Sequence, residues 1–252
     1  GEMELMFTFD HMRADCIGTD FIRRRFSVKK FKRALSAWQN GLAGRAWNAL
    51  YLENHDHARV ISRYGSERYR VESGKALAAA YMLLQGTPFI YQGQEIGMTN
   101  LRLPSADMYP DVQTRGMVKA ASRWLSPRRV LRLTQDAARD SARTPMQWTS
   151  GKNAGFTEGE PWFFVNENAR TVNVEAEDAD EDSLLNFYRA LIAFRKGEPI
   201  IRYGSYTEHI PQSANFYVYS REFEERRLLV IASLVDKETY FTCPEGFNLV
   251  DG

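Results

Sequence analysis

The sequence predicts an α/β fold in its first part and an antiparallel β-domain in its last part. Over roughly the first two hundred residues, apolar runs that end in polar residues alternate with stretches of helical apolar spacing. After Gly197, short β-prone runs follow one another without helices between them. Three strand–helix units precede this change, whereas a closed (β/α)8 barrel has eight strands in about 250 residues. We therefore predict the second part of a (β/α)8 TIM barrel, about its last three strand–helix units, at 1–198, and a truncated antiparallel β-sandwich domain at 199–252.

The first unit begins with a strand predicted over 3–9, which ends at Asp10. Ser27 is a suitable N-cap for the helix that follows, because its hydroxyl can accept a free backbone N–H of the first turn. The apolar positions of this helix recur at helical spacing: Val28, Phe31, Leu35 and Trp38. Gly41 and Gly44 end it.

The second unit consists of a strand over 46–52 and a helix over 71–85. The helix carries Leu77, Tyr81 and Leu84 on one face and stops at Gly86-Thr87-Pro88. A short third strand, Phe89-Ile90-Tyr91, follows. Residues 101–182 then read as a long irregular excursion, and loops of that length in compact domains are usually functional or disordered.

The last predicted helix runs from Ser183 to Lys196 and ends at Gly197. Its inward positions are predicted to be Leu184, Phe187, Leu191 and Phe194. Short strands are predicted at 200–203, 215–219, 227–234 and 238–242. Because no helices separate them, they are expected to form an antiparallel meander.

The composition is that of an ordinary globular protein and argues against several classes of partner. The net charge is +1, from 33 basic and 32 acidic residues, so no strong field favours nucleic acid or an anionic membrane. The basic cluster of residues 23–33 is interpreted as the solvated face of a helix. Cys16 and Cys243 are predicted to be free thiols in a reducing, cytoplasmic compartment, with a single disulfide between them as the alternative. No apolar stretch is long enough to span a bilayer.

The polar triplet Asn54-His55-Asp56 directly follows the predicted strand 46–52. In α/β barrels, catalytic side chains stand at the carboxyl ends of the strands. A carboxylate at that place can stabilise a cationic transition state. A metal site formed by His55, Asp56 and His57 is not expected, because neighbouring side chains of an extended segment point to opposite sides, and we predict neither metal nor cofactor.

Four stretches make the chain similar to the α-amylase family of glycoside hydrolases, within its α-glucosidase and oligo-1,6-glucosidase (isomaltase and maltase) branch. They are Glu-Asn-His-Asp at 53–56, Phe-Ile-Tyr-Gln-Gly-Gln-Glu-Ile-Gly at 89–97, Ala-Arg-Thr-Pro-Met-Gln-Trp at 142–148 and Asn-Ala-Gly-Phe at 153–156. The resemblance covers nearly the whole chain, from the sixth barrel strand onwards. It implies carbohydrate metabolism, with a small α-glucoside or oligosaccharide as the substrate.

The resemblance also implies roles for individual residues. Asp56 resembles the carboxylate that stabilises the transition state, and His55 and Arg143 resemble residues that bind the innermost glucose. His57 stands where the family usually has glutamine, so either a contact with the outer sugar or simple exposure to solvent is expected. The nucleophile and the acid/base of the family belong to the fourth and fifth barrel strands, in the amino-terminal half of the barrel, which this chain lacks. The chain alone is therefore predicted to be catalytically inactive.

Other interpretations remain open at this stage. Asp56 could be a helix cap or an ion-pair partner, His55 a structural histidine and Arg143 an ordinary surface arginine. Arg59 is predicted to be structural and to pair with a carboxylate, and Glu95 to be a buried, hydrogen-bonded strand-end carboxylate. The parent protein could instead be a transglycosylating sucrose isomerase, a trehalose-phosphate hydrolase or a non-catalytic barrel homologue.

Overall fold

The computed structural model describes residues 4–247, apart from the side chains of residues 20 and 21. The strands are β1 (Leu5–Phe7), β2 (Cys16–Ile17), β3 (Thr19–Arg23), β4 (Trp47–Leu50), β5 (Thr87–Pro88), β6 (Ser205–His209), β7 (Phe216–Phe223) and β8 (Arg226–Ser233). The helices are α1 (Val28–Leu42), α2 (Val60–Arg63), α3 (Arg70–Met82), α4 (Val112–Ala121), α5 (Pro127–Ala137), α6 (Val174–Ala179), α7 (Leu184–Gly197) and α8 (Pro199–Tyr203). Within the described residues, no helix is long and apolar enough to cross a membrane.

Strands β1, β4 and β5 form one parallel sheet in the order β1-β4-β5, and β1 and β4 lie within the strands predicted at 3–9 and 46–52. Phe7 pairs with Ala49, and Ala49 pairs with Thr87 on its other side. The prediction of a third strand at 89–91 is wrong, because the ladder ends with the bond from the Phe89 N–H to the Leu50 carbonyl (2.7 Å). Residue 3, where the first strand was predicted to begin, lies outside the described part of the chain.

The predicted helix after Ser27 is confirmed as α1. The Ser27 hydroxyl accepts the Lys30 N–H, as an N-cap does. The basic cluster is only partly a solvated face, since Lys32 is 1% exposed. Its Nζ donates to the carbonyls of Ile210 (2.8 Å) and Phe216 (3.1 Å), because a buried ammonium must find acceptors.

The helix predicted over 71–85 is confirmed, although it ends earlier, at Met82. The chain then returns to the sheet through Gly86, whose φ is +144°. A Cβ at this position would lie 2.3 Å from the Asn48 carbonyl oxygen, so only glycine fits. Gly86 thereby fixes how closely the end of α3 approaches β4.

The prediction that residues 101–182 are irregular is wrong, since α4, α5 and α6 lie in this stretch. Each of these helices has a local start signal. Asp111 accepts the N–H groups of Gln113 and Thr114, Pro127 occupies the first turn of α5, and Asn173 accepts the Ala176 N–H. Within α4, α5 and α6, the buried apolar residues are Met117, Val130 and Ala137.

Helix α7 confirms the predicted helix over 183–196, but its buried face is rotated relative to the predicted one. Leu184 and Leu191 are buried as predicted, whereas Phe194 is 42% exposed. Arg195 is buried in its place and donates to the carbonyls of Met82, Leu84 and Gly86 at the end of α3. The unpaired carbonyls of a helix end are thus satisfied by a guanidinium.

The carboxyl-terminal sheet has the order β6-β7-β8 and is antiparallel. Strands β7 and β8 confirm the strands predicted at 215–219 and 227–234, and β6 was not predicted. The prediction at 200–203 is wrong, since this segment is helix α8, and 238–242 is not a strand. Leu77 and Tyr81 of α3 share one hydrophobic cluster with Tyr217 and Tyr219 of β7, so α3 and the antiparallel sheet belong to the same core.

His11 should make the stability of the chain dependent on pH. Its Nε2 lies 2.8 Å from the Tyr51 carbonyl, and burial lowers its pKa from 6.5 to about 4. The unfolded chain therefore binds a proton first, and stability falls as the pH drops from about 6.5 towards 4. Between about pH 6.5 and pH 5, His11 alone should remove about 2 kcal/mol of unfolding free energy.

Urea unfolding across this pH range should show a clearly smaller loss of stability in His11→Gln than in the wild type. His209→Gln is the matched control for a change in the number of histidines, since His209 bonds the Ser220 hydroxyl in the antiparallel sheet. An unchanged pH slope in His11→Gln would contradict the assignment.

Candidate active site

The predicted catalytic segment follows strand β4 and reaches the surface. Glu53 is still buried, whereas His55 and Asp56 have side chains 68% and 47% exposed. The Asn54 Oδ1 accepts the Asp56 N–H at 2.8 Å, which closes a tight turn around His55. The carboxylate of Asp56 is therefore displayed just beyond the carboxyl end of a parallel strand, as predicted.

Two arginines from the long excursion converge on Asp56. Arg139 Nη1 lies 2.7 Å and Arg143 Nη2 lies 3.2 Å from Asp56 Oδ1. His55 Nε2 lies 3.3 Å from Asp56 Oδ2. The structure thus brings together three of the predicted site residues, His55, Asp56 and Arg143, although they are up to 88 positions apart in sequence.

A second carboxylate, Asp111, binds the same two arginines from the other side. Arg139 Nε lies 2.9 Å from Asp111 Oδ1, and Arg143 Nη1 lies 2.8 Å from Asp111 Oδ2. Burial raises the pKa of Asp111, but the Arg139 hydrogen bond and the N–H groups at the start of α4 outweigh it and hold the pKa below its usual value. Asp56, Arg139, Asp111 and Arg143 form an alternating ring of charges, which we call the carboxylate–guanidinium ring.

The sequence reasoning missed Arg139 and Asp111. Arg139 lies in the same short 3-10 turn as Arg143, four residues before it. Asp111 directly precedes α4 and has the residue type of an N-cap. The spacing Arg-x-x-x-Arg and an N-cap aspartate were therefore visible signals, but neither of them points to Asp56.

His57 and the two other carboxylates near the predicted strand ends, Asp10 and Glu95, have contacts of their own. His57 is half-buried, and its backbone N–H bonds the Asn54 carbonyl at 3.4 Å. Asp10 accepts the indole N–H of Trp38 at 2.7 Å. Glu95 is half-buried, and burial raises its pKa although it accepts backbone N–H groups, including that of Gly93. In the part of the chain that the structure describes, no group of His, Cys, Asp and Glu has a metal-binding arrangement.

Below the ring, Arg59 is fully buried and confirms its predicted structural role. Its Nη1 lies 3.0 Å from Glu53 Oε2 and 2.7 Å from the Gln92 carbonyl, and its Nε donates to the Ser141 carbonyl at 3.3 Å. Burial raises the pKa of Glu53, against the opposing effect of Arg59. The Glu53 Oε1 also accepts the Val60 N–H, so both charges are satisfied.

The ring is suited to binding polyhydroxylated ligands. Carboxylate oxygens accept hydrogen bonds from hydroxyl groups, and guanidinium groups donate hydrogen bonds to hydroxyl oxygens in a fixed planar geometry. The Asp56 carboxylate also carries a formal negative charge that can stabilise a developing positive charge nearby. The site therefore fits the recognition of a sugar and the stabilisation of a cationic transition state.

The chain is similar to one known protein family and to individual members of it. The family described as alpha amylase, catalytic domain, matches residues 1–204. The oligo-1,6-glucosidase of Parageobacillus thermoglucosidasius is 41% identical over 248 residues, which are 97% of this chain and 44% of that protein. The chain thus spans less than half the length of this relative.

Solved structures of related enzymes have the same fold. The trehalose-6-phosphate hydrolase of Bacillus licheniformis superposes with a TM-score of 0.93 at 38% identity, covering 97% of this chain and 45% of that one. The trehalulose synthase of Pseudomonas mesoacidophila MX-45 gives 0.90 at 33% identity, covering 96% and 44%.

Removing the Arg59 guanidinium should destabilise the chain strongly, because Glu53 would be left buried without its counter-ion. Arg59→Met is expected to cost about 3–5 kcal/mol of unfolding free energy in urea titrations. The double variant Glu53→Gln/Arg59→Met should recover part of this loss, because it removes the unpaired charge as well.

Arg102→Met is the control for this pair, since Arg102 pairs with Glu67 at the surface (2.9 Å, side chains 49% and 37% exposed). It should change stability by no more than about 1 kcal/mol. Equal effects of the two single variants would show that burial of the Arg59–Glu53 pair does not matter.

Proposed function

We propose, since this chain belongs to the α-amylase catalytic-domain family, that it is the carboxyl-terminal part of a retaining, exo-acting α-glucosidase. The proposed substrates are short oligosaccharides of the maltose and isomaltose type, from which terminal α-linked glucose is removed. The observation that carries the proposal is the placement of Asp56, exposed beyond the end of β4 and flanked by Arg139 and Arg143. The similarity to an oligo-1,6-glucosidase supports the choice of substrate class.

In this proposal, the parallel strands are the last three strand–helix units of a (β/α)8 barrel, and the antiparallel sheet is part of a β-sandwich. The face of the parallel strands opposite to the helices carries aromatic rings that are open to solvent. Phe7 is 49% and Phe89 is 39% exposed, and their ring centroids are 4.9 Å apart. Beside them, the buried Tyr51 hydroxyl and His11 Nδ1 have no hydrogen-bond partner within residues 4–247. Further barrel strands from the amino-terminal half would cover these rings and supply partners.

The proposed reaction is a double displacement. A carboxylate nucleophile displaces the aglycone from the anomeric carbon while an acid protonates the leaving oxygen, and water then displaces the nucleophile, with net retention of configuration. We place both of these groups outside residues 1–252. Asp56 would accept hydrogen bonds from the hydroxyl groups of the glucose ring and stabilise the positive charge at the anomeric carbon. His55 and Arg143 would hold the same glucose, and His57 would contact the outer sugar.

The similarity to relatives with other activities leaves two alternatives within the same family, a trehalose-phosphate hydrolase and a sucrose isomerase. The chain resembles a trehalose-6-phosphate hydrolase and a trehalulose synthase in structure nearly equally well. Release of glucose 6-phosphate from trehalose 6-phosphate would favour the trehalose-6-phosphate hydrolase activity over the proposed one. Formation of an isomeric disaccharide from sucrose would favour the sucrose isomerase activity. A non-catalytic homologue is less favoured, because Asp56, Arg139 and Arg143 are kept in one hydrogen-bonded cluster.

The purified 252-residue chain is expected to be inactive on p-nitrophenyl α-glucoside. The reason is that Asp56 alone supplies neither a nucleophile nor an acid on opposite sides of the glycosidic bond. Release of nitrophenol above the level given by an Asp56→Asn preparation, measured by absorbance, would overturn this prediction.

A chimaera that joins the preceding part of the Parageobacillus thermoglucosidasius enzyme to this chain should hydrolyse isomaltose. In it, Asp56→Asn should lower kcat by roughly 10²–10³-fold, because a preorganised transition-state contact is lost. NMR of the first product should show α-glucose. Asp178→Asn, at an exposed carboxylate, serves as the control and should keep full activity. A folded, inactive chimaera or one insensitive to Asp56→Asn would count against the proposal.

A further inference from the structure

We propose that Asp111 is a positioning residue of the candidate site, which holds the guanidinium groups of Arg139 and Arg143 in the orientation in which they meet Asp56. The catalytic meaning of this inference rests on the proposed function. The geometric claim concerns residues within this chain and can be tested without any activity.

Asp111 is the buried anchor of the carboxylate–guanidinium ring. Its side chain is 9% exposed, whereas that of Asp56 is 47% exposed. Each arginine uses one edge of its guanidinium for Asp111 and another for the segment after β4. Arg139 uses Nε for Asp111 and Nη1 for Asp56. The better-shielded carboxylate is the one that is screened less by solvent and orders the arginines more strongly.

Arg143 makes three contacts that depend on a single orientation of its guanidinium. Nη1 meets Asp111 (2.8 Å), Nη2 meets Asp56 (3.2 Å) and Nε meets the His55 carbonyl (2.9 Å). A planar guanidinium that is fixed at one edge has its other N–H directions fixed as well. Asp111 therefore sets the direction of donors that it does not itself contact.

The backbone of Asp111 is in turn held by Asp140. Asp140 Oδ1 accepts the Asp111 N–H (3.0 Å), and its Oδ2 accepts the Thr114 hydroxyl (2.6 Å). Asp140 is 2% exposed. The start of α4 and the 3-10 turn Arg139–Arg143 are therefore linked in both directions, by Asp111 to the arginines and by Asp140 to the helix start.

The ring is also balanced in charge. Asp56 and Asp111 neutralise Arg139 and Arg143. Without Asp111, the half-exposed carboxylate of Asp56 would be the one negative charge of the ring left to neutralise two loosely held guanidinium groups. Asp111 thus leaves Asp56 more available as an acceptor for sugar hydroxyls, which is the role that the proposed function gives it.

Capping of α4 is the competing role for Asp111, and Asp111→Asn separates the two. Asparagine is as good an N-cap as aspartate, so the bonds from Gln113 and Thr114 can persist. The negative charge that holds both guanidinium groups is removed. A purely capping Asp111 therefore predicts no change at the arginines, whereas a positioning Asp111 predicts that both become mobile.

The test is NMR of the arginine Nε–H groups in the 252-residue chain. In Asp111→Asn, exchange of the Arg139 and Arg143 Nε protons with water should become roughly tenfold faster or more, because charge-assisted hydrogen bonds are lost. The Arg143 signal is decisive, since this N–H bonds the His55 carbonyl and not Asp111. Asp178→Asn is the matched control, because it removes a carboxylate from Arg189 at the surface.

Unchanged exchange at Arg143 Nε in folded Asp111→Asn would overturn the proposal. If this variant does not fold, the exchange rates of the wild-type chain alone test the proposal. Its Arg139 and Arg143 Nε protons should exchange more slowly than that of Arg132, which is 86% exposed and 4.0 Å from Asp136. Equal rates would refute the positioning role. Positive NMR results with an inactive chimaera would instead contradict the proposed function and leave the positioning role standing.

Discussion

The buried guanidinium of Arg59 is the interaction on which the arrangement of the site depends. It donates to groups from three separate segments, which are Glu53 after β4, the Gln92 carbonyl after β5 and the Ser141 carbonyl in the long excursion. A buried cation that loses any of these acceptors costs several kcal/mol, so the three segments are constrained to meet. Ser141 lies between Arg139 and Arg143, and Glu53 lies three residues before Asp56. The exposed ring thus takes its position from the buried pair below it.

The two layers have different energetic roles. The Arg59–Glu53 pair is shielded from water and specifies one geometry, although its net contribution to stability can be small. The ion pairs of Asp56 are half-exposed, and such pairs are worth about 1 kcal/mol or less. A ligand hydroxyl can therefore replace them at little cost. A rigid lower layer and a weakly bound upper layer together give a site that is preorganised and still open to a substrate.

How much the sequence predicts depends on how each element is stabilised. Helices α1, α3 and α7 bury a broad apolar face, so their spacing is readable, and the strand before Asn54 is readable for the same reason. Helices α4, α6 and α8 begin at caps or a proline and bury at most two apolar residues each, so apolar spacing does not reveal them, whereas the buried positions Val130, Thr134 and Ala137 of α5 do recur at helical spacing. Phe194 was misplaced because a buried Arg195 took the inward position, which a hydrophobic pattern cannot anticipate. At the site, the motifs identified Asp56 and Arg143, whereas Asp111 and Arg139 are defined by contacts across 28 or more positions.

The two faces of the parallel sheet differ in how far residues of this chain cover them. On one face, Leu50 and Leu52 are buried in the hydrophobic cluster that includes residues of α1 and α3 and reaches the antiparallel sheet. Lys32 adds bonds to two carbonyls of that sheet, and Arg221 adds one to Gln39 of α1. This side is therefore closed by residues of the chain itself. The other face, with Phe7 and Phe89, remains half-exposed within the described residues. Since the ring of charges stands at the carboxyl ends of the same strands, elements that cover the aromatic face would also border the Asp56 site. Under the proposed function, covering this aromatic face and completing the site around Asp56 would therefore be one structural event.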